Sequence, residues 1–321
     1  MKMKRVNDLL LREQLLKSLS RLSTLETEYE LSKFTILDYL YLHESELNKR
    51  LDVFELIQLK RNISEMLNDN VSDSWKLELE RVLDRTRLRH IDVIIIYTIH
   101  EIQKLAYLEK EILDELSVDI INDSHEKVLY ELSIETGYTK IFEDISEEEI
   151  CDILAQGWIG DYSTYAERLE NHVRASEKKI LEFTKASKTD DAVDLIVIGI
   201  DSIFKTKKQK GKALVVTETV YFNSVGVEEG YNDFEVERFQ NIATLDDRTS
   251  DICIDMDLTI FKMSEYEIGE TAPPFHPYCR TVTIPYFSDN WTTRVAKSDK
   301  WYHIDKDISY VDWKRGYMKV S

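Results

Sequence analysis

Glycine and proline are absent from the first 136 residues of this 321-residue chain, and all four prolines (Pro273, Pro274, Pro277, Pro285) fall in one short stretch. Proline removes an N–H and clashes with the preceding helical turn, and glycine raises the entropy cost of ordering. A long segment without either permits long helices, and the proline cluster marks turn-rich structure. Cysteine is scarce. Three residues, Cys151, Cys253 and Cys279, exclude a disulfide framework and fit a reducing compartment. No secretory leader is expected, because the first residues are charged and their apolar positions interrupted. No apolar run is long enough to span a bilayer, so no membrane anchor is expected. Positive charge is short as well: the net charge is −19. That balance opposes a surface that coats nucleic acid, which needs Lys and Arg to neutralise phosphates. What is present suffices for a core, with 43% hydrophobic and 10% aromatic residues.

The helical period is visible from the start. Leu15, Leu19, Leu22, Leu25 and Tyr29 recur three or four apart among charged residues. The stretch from Trp75 to Leu88 repeats the pattern, and polar Asn68 to Ser74 reads as the turn before it. His90 to His100 is rich in β-branched residues and would suit a strand, but its flanks are helical, so it reads as a buried helix. Ser146 with Glu149 has capping-box spacing ahead of an apolar run. Helical pattern resumes from Thr164 to Thr184 and from Ala213 to Ser224. Between those two lies a lysine-rich segment, Lys205, Lys207, Lys208, Lys210 and Lys212, read as a loop. From Phe239 on, short alternating runs, Asp-rich turns and a strand at Val282 to Phe287 describe a small α+β unit. The expected organisation is mainly α with a small C-terminal α+β module. It divides into an N-terminal helical region (1–145), a second helical region (146–235), a Cys/His module (236–290) and an aromatic tail (291–321) carrying Trp301, Tyr302, Tyr310, Trp313 and Tyr317.

The chemistry-bearing residues concentrate in the module. Cys253, His276 and Cys279 form a Cys-x22-His-x2-Cys set, and thiolate and imidazole are the ligands zinc prefers. Asp247, Asp251 or a water could supply a fourth ligand. The plainer reading is two small buried residues and a hydrogen-bonded imidazole. Arg248 and Arg280 accompany Asp246, Asp247 and Asp251. An Asp–Arg lattice would fix the turns by bidentate hydrogen bonds, and the alternative is an arginine that grips a carboxylate or phosphate. Glu218 with Asp246 and Asp247 could form a carboxylate cluster for a divalent metal and phosphodiester cleavage. Glu218 could equally pair with Arg248 or Arg280. Five lysines in eight positions could touch phosphates, or could simply form a solvated linker.

The same segment carries a family resemblance. Leu245-Asp246-Asp247-Arg248-Thr249-Ser250 with Cys253, then Met256-Asp257, Phe261, Gly269 and Ala272-Pro273-Pro274-Phe275-His276-Pro277 with Cys279-Arg280, resembles the signature of phage head-morphogenesis proteins. These are the Mu F-like minor head, or minor capsid, proteins. Thr283 to Phe287 continue the match. Thr217-Glu218 with Tyr221, Phe222 and Asn223 is similar to the family's Arg-Thr-Glu helix, with Val216 at the arginine position. Trp158 with Gly160, Tyr162-Ser163 and Arg168 is similar to its Trp–Arg segment, and Tyr310-x-x-Trp313 to its closing tail. The chain departs from the pattern at Thr281, where a further cysteine is common, and at Leu258, where glycine is common. The resemblance implies a structural, non-enzymatic virion component that works with the portal and other head proteins during procapsid assembly, DNA packaging or ejection. It would lie inside the phage head after assembly in the host cytoplasm, with no small-molecule substrate. The resemblance also strengthens the reading of zinc at the Cys/His set, and gives Asp247, Arg248, Cys253, His276, Cys279 and Arg280 the architectural role of pinning a hairpin to the proline loop. Its rivals are a metal-dependent nuclease or toxin-type enzyme carried in the head, and a DNA-binding virion protein using the lysine segment.

Other motifs fail on their own terms. His100-Glu101 begins like a zincin helix, but Lys104 stands where the second histidine belongs. No P-loop, dinucleotide fingerprint or nucleophile elbow occurs. His43, His90, His125 and His172 read as surface or packing residues.

Overall fold

A computed structural model of the chain describes residues 2–136, 145–158, 163–186, 192–287, 293–297 and 301–305. Among them are eight α-helices: α1 (Lys2–Leu42), α2 (Val53–Met66), α3 (Asp73–Leu83), α4 (His90–Thr136), α5 (Glu147–Leu154), α6 (Tyr165–Ala186), α7 (Ala192–Asp233) and α8 (Asp251–Met256). Two short 3-10 turns (Glu44–Glu46 and Met263–Glu265) and five strands complete the described elements, the strands being β1 (Arg238–Ile242), β2 (Ile260–Lys262), β3 (Val282–Pro285), β4 (Thr293–Lys297) and β5 (Trp301–Asp305). The protein is mainly α with a small antiparallel module, as the sequence predicts. Of the aromatic tail, only the β4–β5 hairpin backbone is described; Tyr310, Trp313 and Tyr317, like Gly160 and Tyr162 upstream, lie outside the described residues.

Two compact units are assembled from non-contiguous segments. One comprises 1–20, 113–164 and 213–321, the other 21–112 and 165–212. In the second unit, Ile91, Val93, Ile94, Ile96 and Ile99 are all buried. That burial is why a β-branched run is stable in α4: packing outweighs the modest helix penalty of these residues. Asp52 and Ser72 cap α2 and α3, the former through a reciprocal capping box with Glu55. At the centre of the unit, Glu109 accepts from Tyr29 Oη and Lys207 Nζ with no solvent access to the ion pair. Burial, then the Glu109 charge, raises the Tyr29 phenol well above its ordinary value.

The lysine segment is not a loop. Lys205 to Lys212 lie within α7, which continues unbroken to Asp233. Five lysines and Gly211 have the composition of a linker, but the glycine serves another purpose: a Cβ there would collide with the Glu109 carboxylate. Lys207 is buried on Glu109, and Lys208 stands 3.7 Å from Glu26 and 3.6 Å from Glu30. Lys205, Lys210 and Lys212 are exposed.

In the first unit β1 is the central strand of a three-stranded antiparallel sheet, in the order β2-β1-β3. Phe239 faces Phe261 on one side and Pro285 on the other. One face buries Phe239 against Val128, Leu132, Val227 and Tyr231 of α4 and α7, with Tyr266 alongside. Ile242, Val282 and Ile284 pack on Leu11 and Val220. The sheet thus sits on α7, and its loops are presented together at the end of β1. The capping box at Ser146 and Glu149 starts α5 as its spacing predicts.

Candidate functional site

The chain leaves β1 at Ala243 and makes a tight turn before α8. Thr249 organises that turn: its hydroxyl donates to the Thr244 carbonyl at 2.6 Å and accepts from the Asp246 N–H at 3.0 Å. Asp246 is buried although it lies in a loop. Its Oδ1 accepts from the Arg248 N–H at 3.0 Å and from Arg280 Nη2 at 2.7 Å, while Oδ2 accepts from Arg280 Nη1. The Arg248 guanidinium is further away, at 3.6 Å. Burial alone would raise the Asp246 pKa, but the Arg280 bonds and charge outweigh it and hold the carboxyl below the usual range.

Ser250 caps α8 by accepting from the Cys253 N–H, and α8 carries Cys253 inward. The opposite wall is the proline loop. It begins past Gly269, whose φ of 97° glycine tolerates and whose missing Cβ leaves room for the Trp158 carbonyl. It ends at Tyr278, which has a left-handed φ of 62° and donates its N–H to Thr217 Oγ1 of α7 at 3.1 Å. Thr244 Oγ1 donates to the Arg280 carbonyl at 3.1 Å, tying the two loops a second time.

Three side chains converge between these loops. His276 Nδ1–H donates to the Pro277 carbonyl at 2.7 Å, which leaves the Nε2 lone pair facing inward, 2.7 Å from Ser250 Oγ and 3.0 Å from Cys253 Sγ. Cys253 Sγ lies 3.6 Å from Cys279 Sγ, and both thiols are free and buried. The hydrogen bond to Cys279, then burial, pushes the Cys253 thiol up. For Cys279 burial also acts upward, but the bonds from Cys253 and from the Phe275 and Thr281 backbone bring it down to about 7.

The donor set fits a zinc ion. Two thiolate sulfurs on one tetrahedral zinc are separated by about 3.8 Å, and a sulfur and an imidazole nitrogen by about 3.5 Å. The sulfurs stand at the required spacing already, and the Cys253–His276 contact needs to open by a few tenths of an ångström. The Nδ1–H bond to a carbonyl is the outer-shell arrangement that fixes a ligating imidazole's tautomer. Cys253, His276 and Cys279 are brought together; Asp247 is exposed and does not join them. Asp251 is exposed as well.

Glu218 is buried on α7 and accepts from Trp158 Nε1 at 3.2 Å, with the indole stacked on Tyr221 at 5.1 Å between centroids. One partner of Glu218 is thus a tryptophan sixty positions upstream. Among the described residues, Glu218, Asp246 and Asp247 do not converge into a group that could hold a metal. Sequence reasoning missed Ser250, whose signal was available: a serine three residues before Cys253 at a helix start is an N-cap. Thr217 was picked out only by the resemblance of its helix, and its bond to the Tyr278 N–H has no sequence signal.

A small antiparallel sheet on a long helix, closed by an Asp–Arg pair and a Cys/His cluster that join the post-β1 turn to a proline loop, makes up this module. Residues 147–284, which hold these elements, match the family model described as Phage Mu protein F like protein, so that segment is similar to this family. No curated protein and no solved structure gives a match. No helix among the described residues is long and apolar enough to cross a membrane.

Proposed function

We propose that the chain is a minor head protein of a tailed phage or prophage, built into the head alongside the portal and other head proteins, and that its role there is architectural. The observation that carries this reading is the Mu F-like match over 147–284, with the family's signature residues engaged with one another. Asp246 is bound to Arg280, Thr249 to its own turn, and Glu218 to Trp158. Cys253, His276 and Cys279 are the ligands of a structural zinc, with the fourth position taken by water or by an added ligand rather than by Asp247. Zinc would cross-link α8 to the proline loop, the two segments that Asp246 and Arg280 already join.

The test is mass spectrometry of purified heads, with the chain quantified against the major shell protein. The expected result is a few copies per head, retained after external proteins are washed away. Absence from heads that package DNA overturns the assignment. Metal content is a separate measurement: about one zinc per chain at the cluster, lost in Cys253→Ser and Cys279→Ser, supports the ligand set.

The DNA-contact reading loses Lys207 to Glu109 and has Lys208 facing Glu26 and Glu30. Assistance in packaging or ejection is therefore assigned to contacts with head proteins and not to the lysine segment. A nuclease reading predicts divalent-metal-dependent plasmid cleavage that Glu218→Gln or His276→Ala abolishes; the architectural reading expects no cleavage.

A further inference from the structure

A second cluster of ligand-type side chains lies in the other compact unit, far in sequence from the Mu F-like segment. His43 follows α1, Glu55 lies in the first turn of α2, and His90 is the first residue of α4. Backbone bonds draw these three chain ends together: Leu51 N–H to the Leu88 carbonyl at 2.9 Å, His90 N–H to Lys49 at 3.3 Å and Ile91 N–H to Leu47 at 2.9 Å. One potential ligand atom from each of His43, Glu55 and His90 lies within 4.8 Å of the other two.

His90 is the informative member. Its side chain is fully buried, yet Nε2 has no hydrogen-bond partner. Its other nitrogen, Nδ1, is 3.1 Å from the Tyr39 hydroxyl, so Nδ1–H can donate there and leave Nε2 as a lone pair. A buried polar atom without a partner costs about 1–3 kcal/mol, and such atoms in native proteins call for an explanation. The carboxylate oxygens facing it are Glu55 Oε1 at 3.7 Å and Glu46 Oε2 at 4.0 Å. Those distances are too long for hydrogen bonds. The shorter is close to the roughly 3.3–3.5 Å that separates nitrogen and oxygen ligands on one zinc ion. Glu55 is held in position by its capping role. Its Oε2 accepts the Asp52 N–H at 2.7 Å, which fixes the carboxylate and leaves Oε1 turned to His90. The His43 ring stacks on His90 with 4.3 Å between centroids. Glu46 holds Lys49 through Oε1 at 2.9 Å, which leaves its Oε2 on the His90 side.

We propose that His43, Glu55 and His90 form a binding site for a divalent transition-metal ion of zinc's class. Two imidazoles and one carboxylate select this class over magnesium and calcium, which take oxygen ligands. An ion there satisfies the orphaned Nε2 and staples the end of α1 to the starts of α2 and α4. The site does not depend on the Cys/His cluster, and its test keeps the two apart.

The experiment is a cobalt(II) titration of the full chain, unaltered and as His43→Ala or Glu55→Gln, followed by absorption. Cobalt on Cys253 and Cys279 gives an intense thiolate charge-transfer band, whereas cobalt on nitrogen and oxygen ligands gives only weak ligand-field bands. The expected result is one fewer tightly bound cobalt per chain in His43→Ala, and binding weakened at least about tenfold at that site in Glu55→Gln. The thiolate band stays unchanged in both, and magnesium at the same concentration does not compete. Glu55→Gln keeps an acceptor for the Asp52 N–H, so it reports even if His43→Ala fails to fold. Equal cobalt uptake by the unaltered chain and a folded variant overturns the proposal, since Nε2 would then be satisfied by a proton or by water. Displacement by magnesium overturns the assignment to zinc's class. A missing thiolate band counts against the Cys/His zinc alone.

Discussion

Asp246 lies in a loop yet is almost wholly withdrawn from solvent, with Arg280 bonded to both its oxygens. Removing one partner of such a pair strands the other, at a cost of about 2–4 kcal/mol, since Arg280 keeps some access to water. Asp246→Ala and Arg280→Ala should therefore lower the urea midpoint of the first unit by similar amounts, and the double variant should cost much less than their sum. The pH dependence has a definite sign. The Asp246 pKa is depressed in the folded chain, so its contribution is complete above the ordinary aspartate range of about 4 and is lost as pH falls through the folded value. A urea midpoint that falls equally in Asp246→Ala and the parent between pH 6 and pH 3 would remove Asp246 from that account. A second residue-scale prediction concerns Leu258. It occupies the position where the Mu F-like pattern favours glycine, and its φ is 63°. A left-handed conformation costs a non-glycine residue about 1 kcal/mol, and Leu258 recovers some of this by packing on the Leu11, Val220 and Ile242 cluster. Comparing Leu258→Gly with Leu258→Ala isolates the backbone term, because neither keeps the packing. The glycine variant should be the more stable by about 1 kcal/mol in a thermal melt; equal stability would show that the strain is relieved elsewhere.

At the scale of elements, α7 separates what composition reveals from what only packing reveals. Its lysine segment and Gly211 resemble a linker in sequence because both features are common in loops. The helix continues because Lys207 and Gly211 face Glu109, a partner 98 positions from Lys207 that no local pattern discloses. The consequence is a sharp contrast between neighbours on one helix. Lys207→Met leaves the Glu109 carboxylate buried without its cation and should cost about 3–5 kcal/mol, whereas Lys205→Ser, on the exposed face, should stay within about 0.5 kcal/mol. Circular dichroism melts of both variants decide it, and equal effects would refute the buried pair. The opposite lesson comes from α4 and α5. The β-branched run from Ile91 to Ile99 could be assigned to a helix because its flanks were unambiguous, and Ser146 with Glu149 marked α5 by a rule that is purely local. In the module, Cys253, His276 and Cys279 were legible because thiol and imidazole are rare and their spacing is short. Asp246 and Arg280 were legible as an Asp–Arg set, but which aspartate is bound depends on the turn made by Thr249. Ser250, Thr217 and Trp158 enter the site through contacts that span 26, 61 and 60 positions, and sequence spacing carries no information at that range.

For the whole molecule, charge is the property that bears on partners. With a net charge of −19, the chain repels a polyanion at long range, and binding to duplex DNA would require a local patch strong enough to overcome that field. The lysines of α7 are the densest cationic run, but Lys207 is consumed internally and Lys208 lies within 4 Å of two glutamates. Lys205, Lys210 and Lys212 remain exposed. Three separated charges on one helix release few counterions, so any affinity they confer is small and shallow in its salt dependence. The expected dissociation constant for a random duplex at physiological salt is therefore at the weak limit of non-specific binding, roughly 10⁻⁴ M or weaker. Replacing Lys205, Lys210 and Lys212 together with serine should leave it unchanged, as read by fluorescence anisotropy across a salt series. Tighter binding with a steep salt slope that the triple variant flattens would restore these lysines as phosphate contacts and favour the DNA-binding reading over the proposed architectural one. A flat response in both proteins supports the proposed architectural role through contact with head proteins, which so acidic a chain can make without touching DNA.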